Sequence, residues 1–223
     1  MGRAVLFGQY LTNIVEYGVS IWPQLLQGLV ITMQLTVISL ILGVLLGMVS
    51  CMFSIARFKP LNAISGIYWS FIPGIPLMIQ AFFIYFVITS ALNIRIAPFY
   101  AAIVVLSLNS GAYLSEIFRS GILAVNKGQM EAARSLGLPY GQAMVKIVLP
   151  QAFRMVIPSV VNQFIITLKD TSLVSVIGVG ELARQGSLIL ARNFKAFETY
   201  AVVAVIYYVV VMILTQVAKL IER

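Results

Sequence analysis

Histidine is absent from this sequence, and cysteine occurs once, at Cys51. A single cysteine cannot build a disulfide framework, and without histidine the common His/Cys metal sites cannot form. The most frequent general base of enzymes is missing as well. The phosphate-binding pattern G-x-x-x-x-G-K-[ST] also does not occur. We therefore expect no metal site and no cofactor in this chain, and no ATP hydrolysis by it.

Charge is also scarce. Only 10% of the 223 residues are charged and 61% are hydrophobic, whereas soluble domains carry about 25% and about 45–50%. Too few polar residues are present to cover a soluble fold, so lipid is the expected surroundings. The net charge of +8 raises the alternative of nucleic-acid binding. The basic residues lie between apolar runs, however, as expected for loops that follow the positive-inside rule.

Five apolar runs are long enough to cross a bilayer, which takes about 20 residues. The second run is interrupted by Pro73, Gly74 and Pro76, and the first carries Gly43 and Gly47, a small-residue face suited to close helix packing. We predict an all-α membrane protein of about five transmembrane helices in a single domain, 1–223. The predicted spans are 25–53, 64–92, 98–122, 156–179 and 199–218.

The N-terminal segment, 1–24, mixes polar and aromatic residues. This mixture favours an interfacial helix over a span, and it lacks the pattern of a removable signal peptide. Basic residues outside the spans number about nine on one side and about five on the other. We therefore expect an external N-terminus, a cytoplasmic C-terminus and a cytoplasmic loop at 123–154. Two short helices are predicted in that loop: 128–136, ended by a left-handed Gly137, and 140–148, ended before Pro150.

The loop contains Glu131-Ala132-Ala133, then Gly137, then Leu149-Pro150. In this order and spacing, these residues resemble the EAA signature of permease subunits in bacterial ATP-binding-cassette importers. The resemblance implies a coupling helix that docks into a cleft on a separate cytoplasmic ATPase, which would hold the ATP and Mg²⁺. Ala132 and Ala133 would form a slim knob, and Glu131 and Arg134 could form charge pairs at the rim.

Other segments are similar to the polar amino-acid branch of those permeases. They are 25–36, Pro76-Leu77 with Gln80, 112–119, 127–129, 149–154 and 169–173. The resemblance implies a subunit in the inner membrane of a bacterial cell that imports a polar amino acid or similar zwitterion. Its expected partners are two ATPase subunits, a second permease chain (identical or homologous) and an extracytoplasmic solute-binding protein. Pro73 stands where this branch often carries Arg, which modestly favours a non-identical second permease.

Two other functions are alternatives to the importer. One is an autonomous ion-coupled amino-acid transporter, in which buried charges bind the coupling ion; such a carrier needs no ATPase dock. The other is an intramembrane enzyme, which the missing histidine and the missing G-x-S-x-G elbow disfavour.

Polar residues within the third and fourth spans are the candidate substrate site, because charges inside a membrane are costly and usually functional. Asp170 could pair with the ammonium of a free amino acid, and hydroxyl and amide groups could donate to its carboxylate. Lys169 would need a partner, for which Glu116 is the candidate. A charge network that only fixes helix packing is the alternative. The candidates are Asn109, Glu116, Gln163, Lys169, Asp170, Thr171 and Ser172, and the resemblance implies that the stretch 169–173 contributes to the cavity.

Overall fold

The computed structural model describes the backbone of residues 2–56 and 58–221, and the side chains of residues 14, 16–56 and 58–220. This part of the chain is helical almost throughout and contains no strand, which confirms the all-α class. Its helices are α1 (Gly2–Ile55), α2 (Lys59–Phe71), α3 (Leu77–Ala91), α4 (Pro98–Ala124), α5 (Lys127–Ser135), α6 (Leu149–Asp170), α7 (Leu182–Asn193) and α8 (Ala196–Ile221).

Four helical segments of the described chain are long and apolar enough to cross a membrane, and α3 is a shorter apolar helix. The four are Glu16–Ile55, Pro98–Ala124, Tyr140–Ile177 and Ala196–Leu220. The second predicted span is not one of the four long helices, because the interruption at Pro73–Pro76 divides it into the shorter helices α2 and α3. The predicted spans therefore correspond to four long helices and one broken helix.

The first helix is longer than predicted. Residues 16–24 continue α1 without a break through Pro23, and they pack against other helices. The Tyr17 and Thr199 hydroxyls are 2.8 Å apart, and Ile21 belongs to an apolar cluster with α7 and α8. The prediction of a separate interfacial helix is wrong for residues 16–24, because this packing extends the span. The side chains of residues 1–13 lie outside the described residues.

Helices α1 and α4 form the central pair of the fold. Gly43 and Gly47 of α1 lie directly against α4, so that a Cβ added at Gly47 would fall 3.0 Å from the backbone nitrogen of Ser115. Beside them, the Ser115 hydroxyl donates to the Ser50 hydroxyl at 2.8 Å. The predicted small-residue face is confirmed, and 13 of the 27 residues of α4 are buried.

The interruption between α2 and α3 is a turn held by one buried side chain. The Gln80 amide donates to the carbonyls of Ile72 at 2.8 Å and Ile75 at 2.7 Å. Prolines at positions 73 and 76 lack the N–H groups that would otherwise continue the helix. Gln80 therefore satisfies carbonyls that the broken helix leaves free.

The loop 123–154 contains the first predicted helix but not the predicted end of the second. Tyr140–Ala143 leads into a π-helical segment, Met144–Val148, and this segment runs directly into α6. Pro150 therefore lies in the first turn of a continuing helix, where its missing N–H is tolerated. The wider π turn accommodates the proline ring and the lost hydrogen bond.

A candidate transport cavity and a coupling loop

A cavity of about 370 Å³ lies between the α2–α3 turn and helices α4 and α6. This volume is within the range of about 300–1,000 Å³ found for small-molecule sites. Irregular backbone at membrane depth is tolerated where it lines such a cavity. The lining residues in the described chain are Pro73, Ile75, Pro76, Leu77, Asn109, Tyr113, Gln163, Ile166 and Asp170. Three of the seven predicted substrate residues, Asn109, Gln163 and Asp170, are therefore brought together.

Asn109 and Gln163 face the cavity from opposite helices, and their hydrogen bonding differs. Gln163 lies in α6, where its amide donates to the Thr167 hydroxyl at 3.5 Å. Asn109 lies in α4 with 7% of its surface exposed. The Asn109 amide has no hydrogen-bond partner within the described residues. Buried amides normally have a hydrogen-bond partner. The Asn109 amide therefore has the capacity to bind a polar group that enters the cavity.

Asp170 is the last residue of α6, and the chain turns immediately after it. The next two hydroxyls bond back to the helix end: Thr171 donates to the Leu168 carbonyl at 2.6 Å, and Ser172 donates to the Lys169 carbonyl at 2.7 Å. The helix therefore ends within the predicted fourth span, 156–179. Thr171 is fully buried, and neither hydroxyl lines the cavity, so their predicted contact with a substrate carboxylate stays a prediction.

Lys169 and Glu116 lie elsewhere. Both are exposed, and neither is among the residues that line the cavity. The expected ion pair between them is absent from the described part of the chain. Lys169 is adjacent to Asp170 on the helix and therefore points about 100° away from it. The substrate-binding roles of Lys169 and Glu116 stay predictions.

The end of α5 has the geometry that the sequence predicts. Gly137 adopts φ 86°, its N–H donates to the Arg134 carbonyl at 3.0 Å, and the Leu138 N–H donates to the Ala133 carbonyl at 3.1 Å. These two bonds form a Schellman motif. The helix start is capped by the Asn126 side chain, which accepts from the Gly128 N–H at 2.8 Å.

The two alanines of the signature face different ways. Ala132 is exposed, whereas Ala133 is buried, so the predicted knob of two alanines is wrong for Ala133, which faces the inside of the loop. Leu136 is instead the prominent apolar side chain, with 84% of its surface exposed. The rest of the predicted coupling set, comprising Glu131, Arg134, Gly137, Leu149 and Pro150, is also exposed.

Comparison with known families accounts for the greater part of the chain. Residues 39–223 match the model of the family described as "Binding-protein-dependent transport system inner membrane component". The match contains both the cavity helices α2 to α6 and the loop 123–154. The chain belongs to this family.

Curated relatives agree with this family assignment. This chain is 43% identical over 201 residues to the arginine transport system permease protein ArtQ of Bacillus subtilis, with 90% of this chain and 92% of the relative covered. It is 38% identical over 208 residues to the glutamine transport system permease protein GlnP of Escherichia coli K12, with 92% and 95% covered.

Solved structures agree as well. A chain from the crystal structure of an amino acid ABC transporter with histidines aligns with a TM-score of 0.88 and 36% identity, covering 92% of this chain and 95% of that one. An inward-facing MetNI methionine ABC transporter aligns with a TM-score of 0.79 at 19% identity, which supports the fold alone. The permease is thus an inner-membrane protein with the fold of ABC importer permeases.

Sequence reasoning missed one charged residue of the permease, Glu181. Its side chain is fully buried and caps α7, accepting hydrogen bonds from the backbone N–H groups of Ala183 at 2.9 Å and Arg184 at 2.6 Å. The Tyr207 hydroxyl also donates to it at 2.9 Å. Burial raises the pKa of the Glu181 carboxyl, while these hydrogen bonds lower it. An acidic residue just before an amphipathic helix was the available signal.

Proposed function

We propose that the chain is the permease subunit of an ATP-driven importer and that a polar amino acid passes through the cavity between the α2–α3 turn, α4 and α6. One observation carries the substrate assignment: the cavity joins a carboxylate, Asp170, to the amides of Asn109 and Gln163. Such groups suit a zwitterion, which presents an ammonium and a carboxylate. The relatives named for arginine, glutamine and L-cystine support an amino acid as the cargo.

The cavity is not fully enclosed by the protomer. A polar cavity open to lipid would leave its polar groups unsatisfied, which is costly in hydrocarbon. We therefore propose that a second permease chain, identical or homologous, closes it. The exposed apolar faces of α1, α6 and α8 would contact this chain or lipid.

The loop 123–154 is proposed to dock on one of two cytoplasmic ATPase subunits, which hold ATP and Mg²⁺. Its exposed surface combines the apolar Leu136 with the charged Glu131 and Arg134. Buried apolar anchors supply most interface energy, whereas rim charges set the register. The loop then lies in the cytoplasm, the N-terminus lies outside, and a solute-binding protein delivers the amino acid from the external side.

Alternating access follows from this arrangement. ATP-driven closure of the ATPase pair would move the loop, and α6 would transmit that movement because it begins at Leu149-Pro150 and ends at Asp170. The cavity would then open to one side of the membrane at a time. The predicted roles of Glu116, Lys169, Thr171 and Ser172 are not needed for this proposal.

The cavity is tested by comparing two matched substitutions in the reconstituted importer. Asp170→Asn removes the carboxylate inside the cavity, and Glu116→Gln removes a carboxylate outside it. Asp170→Asn should reduce amino-acid uptake by about tenfold or more, since a hydrogen bond to a charged group contributes about 1.5–3 kcal/mol. Glu116→Gln should retain most uptake. Equal uptake by Asp170→Asn and the wild type would contradict the cavity assignment.

The energy source requires a separate measurement. Uptake into proteoliposomes that contain the permease, its ATPase and the binding protein should stop when ATP is removed. It should continue when ionophores collapse the ion gradients. The opposite pattern would favour the rival, an autonomous ion-coupled carrier.

A further inference from the structure

Glu181 is a fully buried carboxylate that the proposed transport mechanism does not use. It is not among the described residues that line the cavity. Removing a carboxylate from water is costly, and helix ends are capped well by the shorter side chains of Asp, Asn, Ser and Thr. Capping of α7 alone therefore does not account for a glutamate at this position.

The N-terminus of α7 is capped without any help from α8. Its first N–H donates to the Thr32 hydroxyl of α1 at 3.1 Å. The next two N–H groups, those of Ala183 and Arg184, donate to the two carboxylate oxygens of Glu181 at 2.9 and 2.6 Å. The hydrogen bond from the Tyr207 hydroxyl of α8, at 2.9 Å, is additional and contributes nothing to the capping of α7.

The Tyr207 hydroxyl connects this cap to the cavity end of α6. It also interacts with the side chain of Thr171, which is fully buried and directly follows Asp170. Because Thr171 is the first residue after α6, a contact to its side chain acts on the turn that carries Asp170. A short chain of contacts thus joins the buried carboxylate of Glu181 to the carboxylate in the cavity.

The backbone between these two ends is also held in place. Leu173–Ile177 forms a 3-10 helix, and Val174 and Val179 are buried in the main apolar cluster. The Gln185 amide donates to the Gly180 carbonyl at 3.1 Å. A segment packed in this way transmits a displacement from one end to the other instead of absorbing it.

We infer that Glu181 is a positioning residue for transport. Through the Tyr207 hydroxyl it sets the resting position of the turn after α6, and so the place of Asp170 in the cavity wall. The inference rests on the proposed function, because Asp170 is the group that is positioned. Its evidence is a separate set of contacts, since none of Glu181, Tyr207 and Thr171 lines the cavity. Glu181 itself contacts no transported molecule.

Shortening Glu181 by one methylene separates positioning from capping. Aspartate is among the best N-cap residues, so Glu181→Asp should change the unfolding midpoint of the detergent-purified complex little. Its carboxylate is drawn back by one carbon–carbon bond, about 1.5 Å, which takes it beyond hydrogen-bonding distance of Tyr207. We expect uptake by the reconstituted importer to fall about 3- to 10-fold, as for the loss of one hydrogen bond.

Removing the connecting hydroxyl should have the same effect. Tyr207→Phe leaves both hydrogen bonds of the Glu181 cap in place and should also lower uptake about 3- to 10-fold. Tyr17→Phe is the matched control, because the Tyr17 hydroxyl likewise joins two helices. It bonds to Thr199 of α8 at 2.8 Å and to Asn193 at 3.4 Å, not to the turn after α6. Tyr17→Phe should lower the unfolding midpoint and keep uptake near the wild-type level.

A double substitution shows whether the effect passes through Asp170. Groups that act through one another combine non-additively. In an Asp170→Asn background, Tyr207→Phe should therefore reduce the remaining uptake by less than about twofold. Uptake is measured per assembled importer in proteoliposomes that contain the permease, its ATPase and the binding protein.

The outcomes separate this inference from the proposed function. Wild-type uptake by Glu181→Asp would mean that capping accounts for the residue, and equal losses in Tyr207→Phe and Tyr17→Phe would mean a general loss of stability. Either result overturns the inference while the cavity stands, as does a Tyr207→Phe effect that persists undiminished beside Asp170→Asn. If Glu181→Asp does not assemble, Tyr207→Phe decides alone. If Asp170→Asn retains wild-type uptake, the proposed cavity fails and the inference fails with it.

Discussion

Replacing Gly47 by alanine tests the packing on which the fold depends. The added Cβ would lie 2.8 Å from the Leu114 Cβ, 3.0 Å from the Ser115 nitrogen and 3.1 Å from the Gly111 carbonyl oxygen. Ordinary contact begins at 3.4 Å, so the helices must separate locally by about 0.6 Å, the difference between 3.4 and 2.8 Å. Two of the three obstructing atoms belong to the backbone, so no side-chain rotation relieves the clash.

Overpacking of this kind costs about 1–3 kcal/mol. Alanine also gains about 0.5–1 kcal/mol over glycine within a helix, which partly offsets that cost. Gly66 separates the two effects, because it lies in α2 and a Cβ there would have no atom within 4 Å. Gly66→Ala should therefore show only the gain. The difference in the free energy of unfolding between the two variants should be about 1–3 kcal/mol, with Gly47→Ala the less stable.

Unfolding of the detergent-solubilised protein by heat or by added denaturing detergent gives both values under the same conditions. Separation of α1 from α4 should also lengthen the Ser50–Ser115 contact, which is 2.8 Å in the structure. A Gly47→Ala variant as stable as Gly66→Ala would refute the close approach of the two helices. A Gly66→Ala variant that is itself strongly destabilised would show that its face of α2 is covered in solution.

The remaining predictions concern the loop and the buried carboxylate. Gly137→Ala forces a side chain into the left-handed region, which costs about 1–2 kcal/mol of conformational energy, and should lower the uptake per ATP hydrolysed. Gly141→Ala is the control and should leave this ratio unchanged, because Gly141 has open space around it and no positive φ. Uptake and ATPase rates measured together decide this, and equal coupling in both variants would contradict it. Glu181→Ala removes a helix cap and the carboxylate that accepts from the partly buried Tyr207 hydroxyl, so the complex should lose about 2 kcal/mol of stability. Thermal unfolding compares this variant with Glu198→Ala, which removes a less buried acid at the start of α8. Equal unfolding midpoints for the two variants would refute the prediction.

The features that the sequence predicts correctly are those set by local rules. Apolar length predicts the spans, the Pro73–Pro76 cluster predicts the break, and the spacing of Gly43 and Gly47 predicts the close helix pair. The left-handed Gly137 follows in the same way, because only glycine adopts φ 86° without strain. Each of these depends on neighbours within a few residues or on one helix face.

The features that the sequence does not predict depend on where a helix ends and on what lies across the bundle. Thr171 and Ser172 look like free donors in the sequence, yet α6 ends at Asp170 and its last carbonyls capture both hydroxyls. The buried Glu181 also accepts from the Tyr207 hydroxyl, a partner that lies 26 residues along the chain. The wall formed by Pro76 and Leu77 likewise follows from tertiary packing.

Helix α6 explains how the loop and the cavity can act together. It is 22 residues long, so at about 1.5 Å per residue its ends are about 33 Å apart. The π turn at Met144–Val148 lies at its loop end, and the turn after Asp170 lies at its cavity end. A helix between two irregular segments moves as a unit, because the turns absorb changes in backbone angle. In the proposed importer, a movement of the loop would therefore shift Asp170 relative to the α2–α3 turn, which lines the same cavity.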